Sequence, residues 1–170
     1  MKYKIVTSGK TKVVTLGKIS RNLAISSEVY SIQEDGEIYL GMISHKTLVL
    51  FATEFAYYAL QNYAKKKNPE AEICISLVRK WIEDDTSVSN EELRVAAYAA
   101  HAADYAAAYA AYTAYYAAHA ADYAADYASN AAAAAADAAY AAGVDSDKEY
   151  IRQGEFILDF LKSGKHLFLV

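Results

Sequence analysis

The stretch AAYAAHAADYAAAYAAYTAYYAAHAADYAADYASNAAAAAADAAYAA, residues 96–142, decides how the chain is read. Twenty-nine of its 47 residues are alanine, and it holds neither glycine nor proline. Alanine loses no side-chain entropy in a helix and has the highest helix propensity, so low complexity here signals helix rather than disorder. At about 100° per residue, every non-alanine from Tyr98 to Tyr140 falls within an arc of roughly 200°, leaving the opposite side pure alanine. Such a face lets helix backbones approach closely. The block AAHAADYAA occurs at residues 99–107 and again at 117–125, a spacing of 18 residues that is about five helical turns and so preserves the face. One continuous helix of this length would extend roughly 70 Å, against a radius of gyration near 15 Å for a compact chain of this size. The segment is therefore expected to fold back between residues 108 and 114, with His101 level with Asp122 and Asp104 level with His119.

Outward from this segment, the glycines mark the change in structure. Gly9, Gly17, Gly36 and Gly41 precede residue 45, Gly143, Gly154 and Gly164 lie near the end, and none falls between. Before residue 45 the pattern is strand-like. Tyr3 to Val6 and Lys12 to Leu16 flank Ser8-Gly9-Lys10, and Glu28 to Ile32 and Glu37 to Ile43 flank Gln33-Glu34-Asp35-Gly36, which reads as two hairpins. After it, Leu48, Phe51, Phe55 and Tyr58 step along one helical face that closes at Lys65-Lys66-Lys67. Asn68-Pro69 starts a second helix carrying Ile73, Leu77, Val78, Trp81 and Ile82 as an amphipathic stripe. Capping boxes Ser89 with Glu92 and Ser146 with Glu149 start two more, the last bearing Tyr150, Ile151, Phe156, Ile157, Phe160 and Leu161. The closing HLFLV is a candidate strand for the N-terminal sheet. The expected fold class is mainly α, an Ala-rich antiparallel helical domain over residues 46–170 with a small antiparallel β element over residues 1–45.

Composition excludes several functions. Seventeen Lys and Arg against 21 Asp and Glu give a net charge of −4, the opposite of a phosphate-binding footprint, so nucleic acid is not the expected ligand. A lone Cys74 removes internal disulfides and cysteine-based metal clusters and is read as a small core residue. The first residues lack the apolar run of a signal peptide, and the Ala-rich stretch carries two His and four Asp, each expensive in hydrocarbon. The expectation is a cytoplasmic protein without membrane contact.

The run from Phe51 to Ala107 adds a resemblance. It contains an apolar helix, a Pro69-initiated helix ending in Arg79-Lys80-Trp81, a short loop, the Ser89 capping box and then AAYAAHAA. In this order of features it resembles the fifth-numbered immunity-protein family of bacterial polymorphic toxin systems. The resemblance implies an all-helical region that binds and neutralises a cognate toxin. Where that family continues with a helix rich in Gly-His, Arg and further His, this chain offers Tyr and Asp, and residues 1–45 lie outside the resemblance.

The candidate site residues follow from these readings. His101-x-x-Asp104 and His119-x-x-Asp122 each put an imidazole and a carboxylate on one face, a set too small to close a metal site, so intrahelical hydrogen bonding is the expected role and no metal or cofactor is expected. Ser129 or Thr113 beside either His lacks an oxyanion hole or nucleophile elbow, so no enzyme is expected. Nine tyrosines from Tyr98 to Tyr140 suit inter-helix packing, yet rings that end in hydroxyls also make a protein-binding face. Arg79, Trp81, Tyr98, His101, Asp104, Tyr105, Tyr112, Tyr116, His119, Asp122 and Tyr123 are the candidate binding residues. The expected function is a non-enzymatic protein that neutralises or sequesters a macromolecular partner, in toxin immunity or counter-defence. A structural or scaffold protein, and a small-molecule or nucleotide binder using tyrosine stacking, are the alternatives.

Overall fold

Alternating β-branched residues at the start of the chain pair as their pattern demands. The computed structural model describes residues 2–6, 10–25, 31–34, 37–38, 43–64, 66–102 and 124–165. Strand β1 (Lys2–Val6) pairs antiparallel with β2 (Thr11–Thr15) on one side and with β3 (Ser31–Glu34) on the other, and β3 pairs with β4 (Glu37–Ile38). The sheet order is β2-β1-β3-β4. Gln33 and Glu34 belong to β3 and pair with Ile38 and Glu37, so the second hairpin is tighter than its four polar residues suggested. Strand-like alternation also fails over Leu16–Lys18 and Ser20–Ile25, which are 3-10 helices. Here Leu16 packs toward the helices and Ile19 is buried, a demand of tertiary packing that overrides local β preference.

Five α-helices are described. Helix α1 (His45–Asn62) is capped by Ser44, whose hydroxyl accepts from the Thr47 amide at 3.1 Å. It ends before Lys66, so the lysines expected to close it lie beyond its last turn. Helix α2 (Pro69–Glu83) begins as expected, with the Asn68 side-chain Oδ1 accepting from the Ala71 amide at 3.0 Å and Pro69 in the first turn. Helix α3 (Asn90–Ala102) starts at a reciprocal capping box: the Glu92 carboxylate accepts from the Ser89 amide at 2.8 Å, and the Ser89 hydroxyl accepts from the Glu92 amide at 3.2 Å. Helices α4 (Ala124–Ala141) and α5 (Ser146–Lys162) complete the set, joined through Gly143 at φ 82°. The expected turn at residues 108–114, and the candidate closing strand at 166–170, lie outside the described residues.

Packing makes no division at residue 45. Tyr3, Ile5, Val14, Ile19 and Ile32 belong to the same buried cluster as Phe51, Phe55, Ile157 and Leu161. Helix α4 is enclosed by α1, the second 3-10 helix and α5, while α3 docks on α2 and α2 on α1. Seven alanines of α4, Ala131, Ala132, Ala134, Ala135, Ala136, Ala138 and Ala139, are buried, leaving Asn130, Asp137 and Tyr140 outward. Alanine at these positions is what lets three neighbours close on one helix. Between α1 and α5, Phe51 meets Phe156 and Phe160 edge-on at 6.0 and 5.6 Å, a preferred geometry for ring quadrupoles.

Gly154 shows the tightest approach. A methyl group there would overlap the Leu16 carbonyl oxygen and sit 3.0 Å from Leu16 Cδ1. At an exposed helical site, Gly→Ala would stabilise by about 1 kcal/mol. Here overpacking against backbone should cost roughly 1–3 kcal/mol and reverse the sign. Gly154→Ala is thus expected to lower the melting temperature by several degrees, roughly 2–4 °C per kcal/mol at this size; a raised melting temperature would show that α5 and the Leu16 turn are not in contact.

Candidate binding surface

Two groups of polar residues stand out, one buried and one exposed. The buried group centres on Glu149, which is 1% exposed in the first turn of α5. Its carboxylate accepts from Tyr63 Oη at 2.7 Å, from Arg152 Nε at 2.8 Å and Nη2 at 2.6 Å, and from Gln153 Nε2 at 3.0 Å. Gln153 also donates to the Ala132 carbonyl of α4 at 3.0 Å. The Arg152 guanidinium lies over the Tyr58 ring, 3.6 Å from its centroid, and Tyr58 meets Tyr63 edge-on. The expected Ser146 and Glu149 capping box is therefore absent. Asp145 caps the helix by accepting from the Asp147 amide at 2.9 Å, and Ser146 donates to the Ala136 carbonyl. Glu149 turns inward because the half-buried Arg152 guanidinium and two further donors compete better than one backbone amide for its oxygens.

This network ties the end of α1 to the start of α5, and its carboxylate oxygens are filled by protein donors. Its chemistry is structural. Burial, and then the hydrogen bond to Glu149, raise the Tyr63 hydroxyl well above its ordinary value of 10.0. A raised folded-state value means stability that is complete below pH 10 and lost as the pH climbs past it. Tyr63→Phe removes both the bond and the titration. The stability gap between wild type and Tyr63→Phe should be widest below pH 10 and close above it in denaturant melts; a gap independent of pH up to 11 would contradict the network. Cys74, fully buried, behaves alike, its thiol pushed up to about 12 by burial, and is common to both proteins compared.

The exposed group lies on α2 and α3. Ile73 is 58% exposed, Val95 59% and Tyr98 56%. Along the same two helices and the loop between them Glu70, Glu72, Glu83, Asp84, Asp85, Glu91 and Glu92 are all exposed, against three cations of that segment, Arg79, Lys80 and Arg94, and Lys46 of α1, which pairs with Asp85 at 3.5 Å. Asp84 is held below the usual carboxylate range by hydrogen bonds from the Thr86 hydroxyl and amide, and Glu92 by the Ser89 amide and hydroxyl. The surface is thus acidic with apolar side chains set into it.

The structure separates the candidate residues. Arg79 pairs with Glu54 of α1 at 2.9 Å and covers the Tyr57 ring at 4.3 Å, so the α1 partners Glu54 and Tyr57, absent from the candidates, fix its direction. Trp81 is 9% exposed, with its ring 5.9 Å from that of His45; it is a packing residue between α2 and the start of α1. Tyr98 is on the exposed face of α3, and His101 is in the last turn of that helix. Asp104, Tyr105, Tyr112, Tyr116, His119, Asp122 and Tyr123, with the His and Asp pairing expected among them, lie outside the described residues. Ile73 was expected in the buried stripe of α2. Instead the stripe is centred on Cys74 and Val78, with Ala71, Ile75, Trp81 and Ile82, and Ile73 is turned about 100° away from Cys74 toward solvent.

Among the described residues no group of three or more His, Cys, Asp and Glu is placed to hold a metal ion. None of their helices is long and apolar enough to cross a membrane. No family model, curated protein or solved structure matches the chain.

Proposed function

We propose that the protein is a non-enzymatic binding protein that sequesters a basic macromolecular partner through the acidic, apolar-studded surface of α2 and α3. The observation that carries this reading is the exposure of Ile73, Val95 and Tyr98, each more than half open, amid seven carboxylates. Large apolar side chains left open on helices cost hydration free energy that a partner recovers, and an acidic surround raises the encounter rate with a cationic surface. The order of helices here is also what underlies the resemblance to the immunity family, so a toxin is the partner class proposed, with cytoplasmic action. Tyrosine on such a face supplies large contact area at low entropic cost.

The test compares affinity capture from producing cells by the wild type and by an Ile73→Ser/Val95→Ser/Tyr98→Ala variant, at low and high salt. A single stoichiometric partner of basic isoelectric point is expected on the wild type. It should fall by at least tenfold on the variant, whose thermal melt stays unchanged, since truncating even one central anchor typically costs about 2 kcal/mol. Equal capture by both proteins, or an acidic partner, overturns the reading.

A further inference from the structure

The net charge of −4 conceals an uneven distribution. All 21 acidic residues lie at or beyond Glu28, whereas residues 1–27 carry six cations: Lys2, Lys4, Lys10, Lys12, Lys18 and Arg21. Folding sorts these cations further. Arg21 lies over the Tyr150 ring at 3.6 Å, and Lys12 donates to Asn22 Oδ1 at 2.6 Å. One face of the sheet, with Tyr3, Ile5, Val14 and Ile32, is buried against the helices. The opposite face follows from the register: Lys2 is paired with Thr15 and Lys4 with Val13, and all four are exposed, Val13 at 55%. Among the described residues no ion pair engages Lys2 or Lys4.

We propose that this outward face, together with the edge of β2, binds an extended acidic polypeptide segment. Among the described residues β2 is the end strand of the sheet, paired on one side only. An edge strand offers unpaired amides and carbonyls to an added strand, with side-chain identity left to set the specificity. Lys2 and Lys4 stand one strand in from this edge, on β1, about 10 Å from an added strand, where their long side chains attract carboxylates and repel a second lysine-bearing copy. Thr11, Val13 and Thr15 are β-branched, so they present the surface that a neighbouring strand packs on. Nucleic acid fits this face less well. The register places two lysines there and no exposed aromatic among the described residues, whereas single-strand binding draws on stacking platforms and on many phosphate contacts.

The experiment uses the full chain and three fluorescein-labelled probes at low salt: a ten-residue peptide alternating Glu and Val, its Lys and Val counterpart, and a ten-nucleotide thymidine oligomer. The Glu and Val peptide is expected to bind in the micromolar range. Binding should weaken at least tenfold with Lys2→Glu/Lys4→Glu, whose melt is unchanged because both side chains face water. It should also slow hydrogen exchange of the β2 amides. Failure of that peptide to bind, equal or tighter binding of the thymidine oligomer, or binding without β2 protection would each overturn the proposal. Because the probe surface is distinct from α2 and α3, the Ile73→Ser/Val95→Ser/Tyr98→Ala variant should bind the peptide as the wild type does, which separates this result from the fate of the proposed function.

Discussion

A chain beginning at Ser44 should lose its cooperative melt, not merely a peripheral element. The deletion removes Tyr3, Ile5, Val14, Ile19, Ile32 and Ile43, all 5% exposed or less, and each large apolar side chain of this kind contributes about 1.5–3 kcal/mol when buried. Their gross sum, before the entropy of ordering those strands is set against it, is comparable to the roughly 5–15 kcal/mol that stabilises a whole domain. The loss is also geometric. It strips the second 3-10 helix from α4 and the first from α5, exposing alanine and Gly154 surfaces made for close backbone contact. Residual helicity is expected from the alanine segment, since its propensity is local. The measurement is therefore calorimetric or a near-ultraviolet melt rather than far-ultraviolet signal alone. A sharp two-state transition in the shortened chain would show that residues 46–170 fold independently after all.

Glu149→Ala should be the most damaging truncation of a polar side chain in α5. It leaves the Arg152 guanidinium, Tyr63 hydroxyl and Gln153 amide without their shared acceptor. Breaking a buried pair by removing one partner typically costs about 3–5 kcal/mol, chiefly because the remaining charge stays desolvated. Arg152 keeps 24% exposure, so it can turn partly to water, and a loss of about 3 kcal/mol is expected. Glu149→Gln keeps the shape and two acceptor lone pairs but forfeits the charge assistance, so its loss should be smaller. Chemical denaturation of both variants, with Arg152→Met/Glu149→Met as the apolar replacement, checks the account. If the double replacement is as destabilised as Glu149→Ala, unpaired charge is not the cause.

Much of this fold is legible in residue order. Helix starts at Asn68 and Ser89, and the pairing of β1 with β2, follow from chemistry acting within four residues or one turn. What is not legible depends on distant partners. Glu149 has the spacing of a capping residue, but Arg152, Gln153 and Tyr63 hold it in the interior, and Tyr63 lies 86 positions away. The Leu16 turn looks like strand until Gly154 offers it a notch. The same limit applies to the surface: a stripe containing Ile73 and one centred on Cys74 differ by a single helical step, and the choice is made by where α1 and α3 sit. Arg79 was identifiable as a side chain of interest but not its direction, because Glu54 and Tyr57 are on another helix.

Residues 131–136 are six consecutive alanines in α4, the helix on which α1, a 3-10 helix and α5 all pack. The addition or loss of one alanine there would rotate everything beyond it by about 100°. Within the run such a change is nearly silent, since each new contact again meets a methyl group. At its ends it is not: Asn130 would keep its bearing while Asp137 and Tyr140 swung from solvent toward a neighbour. The length of the alanine run thus acts as an angular setting, read out by the few polar residues that bracket it.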